Sequence, residues 1–220
     1  MVRERIIETK SGIQEEFAVQ VYESMMRRLR DKGWMETQSI IRSGINGGHA
    51  LEIGPGPGYL GLEWLSKTDG STLSAVEISS EMIRAAQKNA KEYGLESRIV
   101  YVKGDAQQIP FENNSFDGVF SNGSLHEWSN PQRVFDEIHR VLKPGGKYFI
   151  SDLRRNMNLL LKAFMKCMTK PKEIKPGLIS SINASYTLEE IASLLDKSQL
   201  RQSSVKKTFI GLEITGRKSG

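Results

Sequence analysis

A short apolar segment followed by three alternating glycines constrains the fold more than any other part of the chain. Residues 50–58 read Ala-Leu-Glu-Ile-Gly-Pro-Gly-Pro-Gly. A glycine turn between a strand and a helix lets a nucleotide-like ligand lie directly against the backbone, because glycine has no Cβ. The dinucleotide-binding fingerprint needs glycine at its first, third and sixth positions. Counted from Gly54, the sixth position is Tyr59, so the spacing disfavours a nicotinamide dinucleotide.

Strand-like and helix-like segments alternate on both sides of this turn. Short apolar runs predict five strands, at 50–53, 72–76, 99–103, 116–121 and 147–151. Helical periodicity and capping residues predict helices at 59–67, at 79–93 and from Pro131 to a turn at 143–146. Strands that alternate with helices of this length form right-handed βαβ units and a parallel sheet.

The two ends of the chain depart from this pattern. Apolar residues every four positions predict an amphipathic helix at 13–32, and a short helix is expected at 36–42. Near the other end, 187–197 reads as a helix, and 202–209 and 211–217 read as strands. These last strands leave no room for a helix between them, so they must be antiparallel.

The predicted fold is therefore α/β, a Rossmann-like doubly wound sheet of seven strands, mostly parallel with an antiparallel last strand. Helices are expected on both faces of the sheet, with a small helical cap. We expect residues 1–45 to form an N-terminal cap or lid and residues 46–220 to form the main domain. A helical insertion is expected within that domain at about 154–186.

Composition narrows the classes of function. No stretch approaches the ~20 apolar residues of a membrane helix, so no stable membrane insertion is expected. The single cysteine, Cys167, cannot form an internal disulfide, and the first residues lack an apolar signal segment, which together predict a cytoplasmic protein. A net charge of +5 raises the question of anionic partners such as RNA. No arginine-rich arm or RNA-binding motif accompanies the charge, so solvated basic faces are preferred and nucleic acid remains an open alternative.

Acidic residues follow two further predicted strands. Glu77 comes 23 positions after Gly54, and a carboxylate there can accept both hydroxyls of a ribose. Asp105 can accept from an exocyclic amine, while the N–H of Ala106 reaches a ring nitrogen of a base. Both acids also have structural interpretations, as a helix cap and as a turn residue. Their shared position at the carboxyl ends of strands favours a ligand.

Three further short motifs follow the glycine turn along the chain. They read Ile109-Pro110-Phe111, Ser115-Phe116-Asp117 and Leu142-Lys143-Pro144-Gly145-Gly146. With the glycine turn, Glu77 and Asp105, they cover most of residues 48–152. Together they resemble the class I S-adenosylmethionine-dependent methyltransferases of the small-molecule, ubiquinone-biosynthesis-like type. The resemblance implies S-adenosylmethionine as the cofactor and a small-molecule methyl acceptor as the partner.

The resemblance also implies roles for individual residues. The glycines would pass the methionine and ribose part of the cofactor, Glu77 would hold the ribose hydroxyls, and Asp105 with Ala106 would bind the adenine. The implied cofactor-binding residues are Glu52, Gly54, Gly56, Gly58, Glu77, Ile78, Met82, Asp105, Ala106, Ser121, Asn122 and Gly123. Ile78 and Met82 are equally expected in the core. Pro55 and Pro57 make this turn stiffer than the family's usual loop, which is compatible with a preformed site.

Candidate catalytic residues follow the fourth predicted strand. Methyl transfer from a sulfonium is an in-line displacement that needs alignment and exclusion of water, and a general base only when the acceptor arrives protonated. His126 is the candidate base, Glu127 would orient it, and Trp128 would wall the acceptor pocket. Packing of His126 and Trp128 against the next helix is an equally weighted alternative.

Further acceptor contacts are predicted on the N-terminal cap and after the fifth strand. Arg154 could clamp a carboxylate or phosphate, and Tyr22 could close over the cofactor, with solvated charge and core packing as the respective alternatives. Segment 156–172 is rich in leucine, methionine and lysine. It could form an adaptable apolar lid or touch a membrane surface, but burial of its apolar face on the domain is preferred. No carboxylate cluster predicts a metal site.

The predicted function is transfer of a methyl group to an unidentified small-molecule acceptor. An RNA or protein methyltransferase remains an alternative, as does a non-catalytic module that binds S-adenosylmethionine and regulates a partner. The sequence predicts neither the acceptor nor the oligomeric state.

Overall fold

The computed structural model describes residues 4–7 and 13–219 of the chain. These residues contain seven strands, which are β1 His49–Ile53, β2 Thr72–Glu77, β3 Ile99–Lys103, β4 Phe116–Asn122, β5 Leu142–Leu153, β6 Ser204–Lys207 and β7 Gly211–Arg217. They also contain eight α-helices, which are α1 Glu16–Asp31, α2 Thr37–Arg42, α3 Tyr59–Leu65, α4 Ser80–Tyr93, α5 Pro131–Val141, α6 Leu159–Met168, α7 Lys175–Ala184 and α8 Leu188–Leu195.

All seven strands form one sheet, in the order β3-β2-β1-β4-β5-β7-β6. Strands β1 to β5 are parallel to one another, and β7 is antiparallel to both β5 and β6. The predicted Rossmann-like sheet with an antiparallel last strand is confirmed. The strand order reverses between β1 and β4, and a reversal of this kind opens a ligand-binding crevice at the carboxyl ends of the strands.

Apolar side chains fill both faces of the sheet, which explains the uninterrupted apolar runs of the central strands. On one face, helices α3 and α4 pack around Trp64, Leu73 and Phe120. On the other face, α5 and α8 pack around Phe135 and Ile191. The helices therefore cover both faces, as predicted.

Helix α2 belongs to this core although it falls in the predicted N-terminal cap. Ile40 is wholly buried, and Ile45 accepts a hydrogen bond at its carbonyl from Trp64 Nε1 at 2.8 Å. The boundary at residue 45 stays a prediction, and this packing joins the two sides of it. Residues 1–3 and 8–12 of the predicted cap lie outside the described residues.

Capping residues account for the ends of the helices around the crevice. Ser79 begins α4, its Oγ accepting from the N–H of Met82, and Gly94 ends the helix in the left-handed conformation. Thr187 and Glu190 form a reciprocal capping box at the start of α8. These pairings satisfy backbone donors that a helix start otherwise leaves without partners.

Segment 143–146, where the sequence predicted a turn before a strand at 147, lies inside β5 as an irregular stretch: Gly145 has a φ of +78°, and the pairing with β4 shifts register between Phe116 and Gly118. Strand β5 already begins at Leu142. The N–H of Gly145 donates to the carbonyl of Lys218, and the N–H of Lys218 donates to the carbonyl of Gly146, both at 2.9 Å. The helix therefore ends where the sequence predicted, but the strand begins earlier than predicted, because Lys218 supplies backbone partners that local sequence does not reveal.

The predicted helical insertion contains α6 and α7, which share a small core of Met157, Leu161 and Ile182. Pro176 lies in the first turn of α7. Proline is tolerated there because the backbone N–H of that turn has no helical acceptor.

The glycine turn links β1 to α3 in a conformation that side chains disfavour. Gly54, Gly56 and Gly58 have φ values of +67°, +53° and +83°. A Cβ on Gly58 would lie 2.7 Å from the hydroxyl oxygen of Tyr101 and 3.0 Å from the Cβ of Ala86. Both the backbone angle and the close approach therefore require glycine at this position.

We predict that Gly58→Ala destabilises the protein more than the matched variant Gly70→Ala. Gly70 has a similar φ of +72°, but a Cβ added there would have no other atom within 4 Å, so its substitution should cost only about 1 kcal/mol of backbone strain. The clash at Gly58 should add about 1–3 kcal/mol. Urea unfolding of both variants measures the difference, and equal losses would contradict the packing described for this turn.

Candidate active site

The Glu77 carboxylate joins two of the turns that border the crevice. Its Oε2 accepts from the N–H of Gly56 at 3.1 Å, and its Oε1 accepts from the N–H of Ser79 at 2.9 Å. Burial raises the pKa of Glu77, and the donating amides of Ser79, Gly56 and Ile78 oppose that rise. Because two carboxylate oxygens can accept about four hydrogen bonds, Glu77 keeps capacity for ligand hydroxyls.

Glu52 lies beneath the glycine turn and is almost fully buried. Burial raises its pKa to about 8, the negative charge of Glu77 adds to the rise, and the N–H of Gly61 opposes it. Glu52 is therefore protonated at neutral pH. Its Oε2 and the hydroxyl of Tyr101 are buried without hydrogen-bond partners among the described residues. Such orphaned polar atoms fit a site that receives a polar group or water from outside the protein.

The turn after β3 lies against the backbone of Glu77. The N–H of Gly104 donates to the Glu77 carbonyl at 3.0 Å. Asp105 is exposed, and its carboxylate accepts from the backbone and side-chain nitrogens of Gln107 at 2.8 and 3.0 Å. Ala106 and Ile78 are half-buried, whereas Met82 is buried.

At the end of β4, two residues hydrogen-bond to neighbouring strands and the next residue borders open space. Ser121 is wholly buried, and its Oγ donates to the Ile53 carbonyl at 2.8 Å, tying β4 to β1. Asn122 Oδ1 accepts from Ser151 Oγ at 2.8 Å. Gly123 has a φ of +70°, and a Cβ added there would have no other atom within 4 Å. Open space therefore borders Gly123, whereas the hydroxyl of Ser121 serves the sheet.

Tyr22 on α1 lies over the glycine turn. Its Cε1 would be 3.4 Å from a Cβ on Gly56. Burial raises the pKa of Tyr22, and the negative charges of Glu127, Glu77 and Asp152 raise it further. The hydroxyl therefore stays protonated and able to donate a hydrogen bond.

Basic side chains hold α1 in this position. Arg27 Nε donates to the hydroxyl of Tyr59 at 3.0 Å, and the Arg30 guanidinium lies 4.8 Å from the centre of the Tyr59 ring. These contacts attach α1 to the first residue of α3, and so place Tyr22 beside the turn that precedes it.

His126 is held by Asp152 at the end of the neighbouring strand. The ring Nδ1 lies 2.9 Å from both carboxylate oxygens, and the backbone N–H of His126 donates to Asp152 Oδ2 at 2.8 Å. A carboxylate on Nδ1 places the ring proton there and leaves Nε2 as an acceptor. Glu127, which the sequence suggested as the orienting group, has its Oε1 4.0 Å from Nε2.

Sequence reasoning missed the contact between His126 and Asp152 and also missed Arg5. Arg5 Nη2 donates to the carbonyl of His126 at 2.9 Å, and its guanidinium lies 4.1 Å from the centre of the Tyr186 ring. Adjacency of β4 and β5 could have suggested Asp152, since the carboxyl ends of neighbouring parallel strands meet. Nothing in the local sequence around Arg5 marks its contact with His126.

Trp128 and Arg154, the remaining predicted acceptor residues, are both largely buried. Trp128 packs edge-on against Phe135 of α5, with ring centres 6.0 Å apart. Arg154 Nη1 lies 3.3 Å from Asn156 Oδ1, and Nη2 lies 3.4 Å from the Phe209 carbonyl. Its Nε is buried without a partner among the described residues.

We predict that Glu52→Gln stabilises the protein at pH 8 and has little effect at pH 4. Folded Glu52 keeps its proton up to about pH 8, whereas the unfolded chain loses it near the ordinary value of 4.5. The unfolded state thus binds fewer protons between these values, and the free energy of unfolding falls as pH rises. The wild type should lose at most about 1.4 kcal/mol of its free energy of unfolding per pH unit, and the variant should not show this loss.

Urea unfolding across this pH range, with the exposed Glu96→Gln as control, measures the effect. A stability difference between Glu52→Gln and wild type that does not change with pH would contradict the protonated state of Glu52.

Comparisons with known proteins agree with this geometry. The profile of the methyltransferase domain family matches residues 51–150. The chain is 30% identical over 169 residues to a ubiquinone/menaquinone biosynthesis C-methyltransferase from Blochmanniella pennsylvanica, a match that covers 74% of this chain and 66% of the relative. The first curated relatives are longer, and the chain spans between 35% and 66% of their length.

Two solved structures are similar over most of the chain. A structure from Methanococcus maripaludis, assigned to the S-adenosylmethionine-dependent methyltransferases, has a TM-score of 0.76 and 27% identity, with 98% of both chains covered. A Haemonchus contortus phosphoethanolamine N-methyltransferase, in complex with phosphomonomethylethanolamine and S-adenosylhomocysteine, has a TM-score of 0.61 and 26% identity. That match covers 78% of this chain and 38% of the other.

The matched segment at 51–150 contains the glycine turn and Glu77, and the fold is shared with a solved structure of the same kind over 98% of the chain. The chain belongs to the class I S-adenosylmethionine-dependent methyltransferase family.

Proposed function

We propose that this protein transfers a methyl group from S-adenosylmethionine to a small-molecule acceptor. The observation that carries the proposal is the arrangement of two groups at one sheet edge. Glu77 is bonded to the glycine turn, and the His126–Asp152 pair follows the neighbouring strands. Tyr22 lies over the same glycine turn. S-adenosylmethionine supplies an already activated methyl group on its sulfonium, so the protein needs to bind, align and exclude water.

The residues present fit this cofactor. Glu77 has remaining acceptor capacity for the ribose hydroxyls, and the backbone of Gly54, Gly56 and Gly58 carries no side chain that would block a ligand. The space beside Gly123 suits the methionine end. The other proposed contacts are Asp105 and Ala106 for adenine, Ile78 and Met82 on its face, Asn122 near the methionine end, and Glu52 and Ser121 as supports beneath.

On the acceptor side, His126 is the proposed general base. Asp152 fixes the ring orientation through Nδ1, and Nε2 then accepts a proton from the acceptor. Asp152 is a positioning residue in this arrangement, because it acts through the imidazole. The Tyr22 hydroxyl, held protonated, can donate a hydrogen bond to an acceptor oxygen. Glu127 lies close enough to influence the imidazole by its charge.

The acceptor is proposed to be a small molecule that arrives with its nucleophile protonated. A base oriented by a carboxylate is needed only for such an acceptor. The Blochmanniella relative is named for quinone biosynthesis, and the insertion of this chain exposes apolar residues, so a largely apolar phenol or quinol-like ring is favoured. Trp128 remains a proposed wall of the acceptor pocket, and Arg154 a proposed anion contact. The cytoplasmic location stays a prediction from the cysteine content.

We predict that wild type binds S-adenosylhomocysteine and not NAD, and that Glu77→Gln weakens this binding. Loss of a hydrogen bond between a charged group and a ribose hydroxyl costs about 1–3 kcal/mol, or roughly five- to 150-fold in affinity. Calorimetry measures both ligands, with Glu92→Gln as a control on the exposed end of α4. An unchanged affinity of Glu77→Gln would reject the ribose role, and binding of NAD alone would reject the function.

We predict that His126→Asn and Asp152→Asn lower the rate of methyl transfer while leaving affinity for S-adenosylhomocysteine within about twofold of wild type. Loss of a general base lowers turnover by about 10²–10⁴-fold. The assay is a screen of phenols, quinols, amines and carbon acids with labelled methyl donor, followed by the pH dependence of turnover on the best acceptor. Unchanged turnover and pH profile in both variants would contradict the proposed base.

A further inference from the structure

Helix α6 exposes an apolar face that no described residue covers. The exposed fractions of Leu159, Leu160, Phe164 and Met168 are 81%, 83%, 59% and 50%. At about 100° per residue, these positions share one half of the helix surface. Ala163 and Cys167, also exposed, complete that half. The preferred sequence interpretation, in which this apolar face packs on the domain, therefore holds only for the opposite side of the helix.

The opposite side of α6 accounts for its attachment to the domain. Leu161 is buried in the small core of the insertion, and Met165 packs against that core. The helix therefore has enough buried contact to be held in place without using its outer half. Among the described residues, no helix is long and apolar enough to cross a membrane.

The surroundings of the apolar face are basic. Between residues 156 and 186 the chain has five lysines and one acidic residue, Glu173. Lys166 flanks the apolar half of α6, and Lys170 and Lys172 follow the helix directly, all three exposed. An apolar helix face with lysines at its border is the pattern of a helix that lies in the interface of an anionic bilayer.

We propose that the outer face of α6 docks this protein on the surface of an anionic lipid bilayer. The leucines and Phe164 would enter the region between headgroups and acyl chains, and the lysines would contact anionic headgroups. A second copy of the chain fits this face less well, because two-fold pairing would bring the lysine borders of both copies together. The charge of the border therefore selects a negatively charged partner.

The insertion that contains α6 begins close to the candidate active site. The helix follows β5, whose carboxyl end carries Asp152, so the insertion begins at the edge where the candidate site lies. A second exposed apolar point, Phe209, lies in the turn between β6 and β7 and accepts a hydrogen bond at its carbonyl from Arg154. The start of the insertion and Phe209 thus lie at the same edge of the sheet. Docking through α6 does not depend on the identity of the acceptor.

We predict that the full chain co-sediments with phosphatidylcholine vesicles containing phosphatidylserine and much less with phosphatidylcholine alone. Binding should weaken as salt is raised, because the lysine contacts are screened. The double variant Leu160→Ser/Phe164→Ser should lower the partition coefficient about tenfold or more, since each side chain loses apolar area buried in the lipid. Val100→Ser, a change at another exposed apolar residue on edge strand β3, should leave it unchanged.

A charge pair of variants tests the second half of the proposal. Lys166→Gln/Lys170→Gln should weaken binding to the anionic vesicles, whereas Lys88→Gln/Lys91→Gln on α4 should not, although both remove the same net charge. Circular dichroism and thermal unfolding confirm that each variant is folded.

Three outcomes would overturn the proposal. They are no binding of wild type to either vesicle, equal binding of the α6 variants and wild type, and a wild-type dimer in analytical ultracentrifugation that Leu160→Ser/Phe164→Ser dissociates. The last result would identify a second copy as the occupant of this face.

Discussion

The rest of the site depends on the way the Glu77 carboxylate bridges two turns. It accepts from the glycine turn after β1 and from the N–H of Ser79 just after β2. This bridge fixes the distance between the turns that border the crevice where the strand order reverses. Gly56, whose N–H donates to Glu77, has a φ of +53°, a conformation that favours glycine. The glycine turn, the order of the strands and the position of Glu77 therefore act together to shape the crevice.

The elements around this crevice could be predicted from the sequence because their patterns are local. Each strand and helix around residues 50–153 carries its own local pattern, and Ser79, Gly94 and Pro131 mark helix ends chemically. The acids of the cofactor side follow strand ends directly. The proximity of Glu77 and Asp105 could therefore be predicted, because the carboxyl ends of parallel strands meet at one edge of the sheet.

Other features could not be predicted because they depend on contacts between distant segments. Asp152 reaches His126 across 26 positions of chain, and Arg5 reaches it across 121. The early start of β5, ahead of Lys147, involves backbone hydrogen bonds of Gly145 and Gly146 with Lys218. The sequence predicted that the apolar residues of α6 are buried on the domain. An apolar pattern does not show which surface covers it, so the exposure of the outer half could not be predicted. In each case a partner distant in sequence, or its absence among the described residues, decides the outcome.

The central claim is that the edge formed by β1, β2 and β4 receives S-adenosylmethionine with its ribose on Glu77. A crystal structure of the protein with S-adenosylhomocysteine tests this most directly. We expect the ribose hydroxyls within hydrogen-bond distance of Glu77, the adenine beside Asp105, and the homocysteine end toward Gly123. Electron density for the ligand elsewhere, or a ribose that does not contact Glu77, would contradict the claim.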